Sequence, residues 1–163
     1  MEFYPTLLTL HIISAGIWLS NLISSQILKK FIIKNKQKPG EKKFIILSAT
    51  ISNAIGMTGA IGILITGIIM TAMNPGYGFF QMSANHWLTA KQIVMVIILV
   101  IIFAFLIPRA KKVNAELNKD LEGPEPISAE GYQNIMKMGK LGMTVGMLVV
   151  LNFLLAITHR FFF

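Results

Sequence analysis

Cysteine is absent from the 163 residues, which removes structural disulfides, thiolate-held zinc, iron–sulfur clusters and thiol nucleophiles together and leaves the redox compartment open. Charge is scarce as well. Asp, Glu, Lys and Arg make up 13% of the chain, about half the roughly 25% of soluble domains, and this argues against a water-soluble fold. Acids are the scarcest, seven against fifteen Lys and Arg. No internal repeat of about 20–50 residues and no low-complexity tract occurs, so neither a solenoid nor a repeat-built transporter is expected.

What the chain has instead is long apolar runs, with a mean hydropathy of +0.65. Residues 3–28, 44–73, 93–108 and 141–158 contain no Asp, Glu, Lys or Arg. A bilayer core needs about 20 mostly apolar helical residues, and the third run reaches that length by extending back through Lys91 to Trp87. The first run lacks a basic leading region and a small-residue cleavage site, so it is expected to stay as a helix rather than leave as a signal peptide. The expected fold is all-α: one integral membrane four-helix bundle over 1–163, with helices over 4–31, 43–73, 87–112 and 129–160.

The connections set the expected topology. Residues 29–43 carry Lys29, Lys30, Lys34, Lys36, Lys38, Lys42 and Lys43 around a Pro39–Gly40 break, and residues 109–140 add Arg109, Lys111, Lys112, Lys119, Lys137 and Lys140. The positive-inside rule makes both connections cytoplasmic. Both termini and the nearly uncharged 74–86 loop then face outward, as in an up-down-up-down bundle of a bacterial cytoplasmic (inner) membrane with the periplasm outside. These lysines sit in tight connections without an aromatic-bearing soluble module, so nucleic acid is not an expected partner. The lipid bilayer is.

Depth sorts the polar residues. His11 lies about two turns into the first helix and Lys91 about one turn into the third, with His86 just ahead of Trp87 and His159 at the outer end of the fourth. All three histidines and the intramembrane lysine therefore collect in the outer leaflet, while the charge-free runs hold no other His, Asp, Glu, Lys or Arg. Ionisable groups at membrane depth mark functional sites by default. His86 and His159 also suit plain interfacial positions, and Lys91 is long enough to reach the headgroups. His11, flanked by Leu10 and Ile12, needs a partner.

An imidazole in an apolar bundle suits haem, held by one base from each of two helices. On this reading His11 is an axial ligand of b-type haem, and Lys91, His86 or His159 is the opposing ligand or a propionate partner. Arg160 is a further propionate partner, and Trp18 and Trp87 form walls. Gly59 and Gly62, with Gly56 and Gly67, offer room for a macrocycle or serve ordinary small-residue helix packing. A competing chemistry is Cu(I), which thioether and imidazole ligands select, drawn from Met70, Met73, Met82 and His86. The Asn74-Pro75-Gly76-Tyr77 stretch predicts a type II turn.

The stretch Leu10-His11-Ile12-Ile13-Ser14-Ala15-Gly16-Ile17-Trp18-Leu19-Ser20, the Gly62–Gly67 run, the Pro75-Gly76-Tyr77 loop and Trp87-Leu88-Thr89-Ala90-Lys91 together resemble the CopD/HemJ superfamily of small haem-associated membrane proteins. The likeness spans roughly the first two thirds of the chain. It implies that His11 and Lys91 are paired in haem binding and, on the HemJ side, that the activity is a membrane oxidoreductase acting on a porphyrinogen. Expected redox partners are a quinone, a porphyrinogen or a protein cytochrome. The alternatives are copper uptake or handling of the CopD type and a cofactor-free structural subunit of a larger membrane complex; a homo-oligomer fits any of them.

Overall fold

The computed structural model describes residues 3–38, 40–83, 85–119 and 127–162, with the backbone alone at 116, 118, 119 and 159–162. Among these residues every regular element is helical: α1 (Tyr4–Lys34), α2 (Glu41–Met73), α3 (His86–Val100), a π-helical segment (Ile101–Leu106), α4 (Ile107–Lys119) and α5 (Ala129–Phe162). The π segment joins α3 and α4 into one continuous rod, so four rods are long and apolar enough to cross a membrane.

Three rods run further toward the lysine-rich end than hydropathy alone suggested. The first continues past 31 to Lys34, the second starts at Glu41 rather than 43, and the third runs past 112 to Lys119. Lysine is a good helix former whose stem stays apolar, so a lysine-bearing turn extends a span instead of ending it. The α1–α2 turn is correspondingly tight. Gly40, at φ +96°, takes the left-handed conformation that opens α2, and the buried Glu41 carboxylate accepts the Gln37 N–H at 3.0 Å. Pro39 lies outside the described residues.

The π segment sits just ahead of Pro108. Proline has no N–H to give to the carbonyl four residues back and crowds it, and the helix widens there, Ile107 N–H bonding to the Ile102 carbonyl five residues earlier. The Arg109 guanidinium donates to the Phe105 carbonyl at 3.3 Å.

Helix α1 packs along α2, and α5 packs against α1, α3 and α4. Two small apolar clusters hold the rods together. Trp18, Ile98, Val145 and Val149 meet in mid-bundle, with Ala60 and Ile63 against them, and Ile45, Val113 and Leu117 meet at the lysine-rich end. Most other large apolar side chains point outward: Ile23, Met57, Phe103 and Met147 are each 61–66% exposed. Such a surface would aggregate in water, whereas in lipid it is the ordinary outside of a helical bundle. The protein is a multi-pass membrane protein by this architecture.

Candidate functional site

The α1–α2 seam runs antiparallel in a fixed register. Gly56 lies against Asn21, Gly59 against Trp18, Gly62 against Ser14 and Gly67 against His11. At Gly59 the backbone of α1 itself is the neighbour: an added Cβ would stand 2.7 Å from the Trp18 Cβ and 2.8 Å from its backbone nitrogen. The space that Gly59 and Gly62 leave is therefore filled by α1 itself, which is the small-residue packing of membrane helices. Trp18 belongs to the mid-bundle core, about two turns below His11.

At the end of this seam His11 Nδ1 lies 2.7 Å from Thr66 Oγ1. Thr66 is buried, 7% exposed, and its hydroxyl reaches the Gly62 carbonyl at 2.5 Å, with the Ile63 carbonyl at 3.3 Å. A hydroxyl has one proton. Given to the Gly62 carbonyl, it leaves Thr66 Oγ1 as the acceptor, so His11 Nδ1 carries the ring proton and donates it. Nε2 then keeps its lone pair. A hydrogen bond at one ring nitrogen that fixes the other as a base is the usual outer-shell arrangement of a metal-binding histidine.

Lys91 stands in the second turn of α3. Its ammonium lies 5.6 Å from the centre of the Trp87 ring, a cation–π distance, and Trp87 in turn meets Tyr77 edge-to-face at 6.0 Å. Asn152 of α5 donates to the Lys91 carbonyl at 3.4 Å. Its own Oδ1 and the hydroxyl of Thr89 are buried without a partner, although Thr66, Thr71, Thr144 and Thr158 each bond back to the carbonyl four residues earlier.

The structure thus joins His11 to Thr66 across the α1–α2 seam and, separately, sets Lys91, Trp87 and Asn152 beside one another where α3 meets α5. His86 is exposed, at the start of α3, with Nδ1 3.3 Å from the Met82 carbonyl. The side chains of His159 and Arg160 lie outside the described residues. Met70 is half-buried while Met73 and Met82 are exposed, 43% and 57%. Among the described residues no three His, Cys, Asp or Glu side chains gather as a metal cluster would. The turn at Asn74 forms, Tyr77 N–H bonding to the Asn74 carbonyl at 3.0 Å, but Gly76 keeps a negative φ. It is therefore not the type II turn expected, because the Asn74 side chain accepts the Gly76 N–H at 3.0 Å and draws the backbone into an Asx turn.

Thr66 was visible in the sequence only as a small residue among glycines. The signal that finds it is register: four residues beyond Gly62 on the face that α1 occupies, it is the hydroxyl that meets His11. No protein-family model matches the chain, and no curated protein and no solved structure matches it either.

Proposed function

We propose that this chain is a b-type haem-binding membrane redox protein in which His11 is an axial ligand of the iron. The observation that carries the reading is the His11–Thr66–Gly62 relay, in which the Thr66 hydroxyl, bonded to the Gly62 carbonyl, accepts from His11 Nδ1 and leaves Nε2 to serve as a ligand. The donor set fits: an imidazole nitrogen from α1 and an amine from α3 are both bases that haem iron accepts. The α1–α2 seam is closed to a flat ring by the contacts at Gly59 and Gly62.

Bound haem would supply one-electron transfer. The chain's own residues do the rest: Thr66 orients the imidazole, Lys91 offers an amine ligand or a cation for a propionate, and Trp87 shelters that amine. Porphyrinogen oxidation is the enzymatic form of the same reading, and it is what the resemblance to the CopD/HemJ superfamily adds. The lysine distribution supports a bacterial cytoplasmic membrane with the His11 end outside.

The test is the absorption spectrum of the purified protein, oxidised and dithionite-reduced, with a pyridine haemochrome assay and metal analysis. A Soret band is expected in the wild type. His11→Ala should lose most of the haem, because it removes a ligand and leaves an apolar cavity beside the iron. Lys91→Met should convert a low-spin spectrum to high-spin if the amine is the second ligand, and shift the potential if it pairs with a propionate. Haem retained with an unchanged low-spin spectrum in His11→Ala, or a protein that purifies with copper and no Soret band, would overturn the proposal.

A further inference from the structure

The segment between α2 and α3 is built the wrong way round for a loop in water. From Asn74 to Asn85 it contains no Asp, Glu, Lys or Arg, and its tip turns large apolar groups outward, with Phe79 50%, Phe80 55% and Met82 57% exposed. Several of its backbone polar groups, which water would satisfy without help, are paired within the protein instead, most of them by side chains. The Gln92 amide accepts the Phe80 N–H at 2.6 Å and donates to the Gly78 carbonyl at 3.3 Å, closing the tip as a neighbouring strand would. Asn85 donates to the Gly76 carbonyl at 2.6 Å, and its own N–H reaches the Gln81 carbonyl at 3.1 Å.

Phe80 is held at φ +56°, a left-handed conformation that a bulky residue rarely takes and that surrounding contacts must impose. Gln92 supplies that contact. Internal pairing of backbone groups is what hydrocarbon demands of a polypeptide, and aromatic side chains without charges are what the membrane–water boundary attracts. The loop is also continuous with two apolar rods, one ending at Met73 and the other starting at His86.

We infer that the tip of this loop, Phe79 to Met82, is inserted into the boundary between headgroups and acyl chains of the leaflet it faces, as a second anchor beside the helices. Gln92 makes this affordable by pairing the backbone of the inserted turn. The partner is the lipid itself, and with no charge in the loop a zwitterionic surface suffices. None of this depends on what His11 binds.

The cysteine-free chain gives a clean background for the test. Phe80→Cys carries a bimane label in phosphatidylcholine vesicles and is compared with Lys36→Cys. Shallow doxyl-lipids should quench the label at 80 several-fold more than that at 36, and aqueous iodide several-fold less. Iodide quenching at 80 equal to that at 36 would place the loop in water. Quenching by neither agent would mean that protein, such as a second copy of the chain, covers the tip. Either result overturns the inference. Adding Gln92→Leu to Phe80→Cys should lower the lipid quenching at least severalfold; unchanged quenching would remove Gln92 from the account.

Discussion

At the scale of single residues, His11 and Lys91 stand out as candidates from depth alone, because an ionisable side chain among Leu10, Ile12 and Ile13 on one helix, and another beside Trp87, has no inexpensive place in lipid. Thr66 was not, since a contact across a seam depends on helix register, and register is set by which glycine meets which side chain. The tautomer assigned to His11 is directly testable. Nitrogen-15 spectra of selectively labelled protein should show the Nδ1–H form of His11. Thr66→Val keeps the shape but leaves that N–H without its acceptor, so it should cost about 1–3 kcal/mol in unfolding from detergent and mix the two tautomers. An Nε2–H imidazole in the wild type would refute the relay.

At the scale of elements, four apolar runs announced four spans, but their ends did not show. Hydropathy falls at the first lysine, whereas the helical backbone continues through Lys34 and Lys119 because lysine breaks no hydrogen bond. The widened turn ahead of Pro108 was equally hidden, since sequence reports the missing N–H but not whether a helix stops or bulges there. The glycines carried two readings in sequence, room for a flat ring or close helix packing, and the structure gives Gly59 and Gly62 the second. Gly59→Ala should therefore lower the thermal or detergent unfolding midpoint, by about 1–3 kcal/mol, because its methyl would meet the Trp18 backbone. Gly142→Ala, with nothing within 4 Å of its Cβ, should leave the midpoint unchanged or raise it. Equal effects at the two positions would argue against a tight α1–α2 seam.

At the scale of the whole molecule, the all-helical membrane architecture followed from scarce charge and long apolar runs, while the orientation rests on the lysines gathered in two connections. A cysteine at Lys36 should resist a membrane-impermeant thiol reagent in intact cells and react after permeabilisation; one at Phe3, at the other end of α1, should react in both. The reverse pattern would turn the molecule over and put His11 on the cytoplasmic side. The α1–α2 register has one more consequence, which concerns time rather than space. His11, Ser14, Trp18 and every glycine that receives them lie within the first 73 residues, so this seam is made wholly between consecutive helices. It needs no residue of α3 or α5, and the two helices can dock before the third span has left the ribosome.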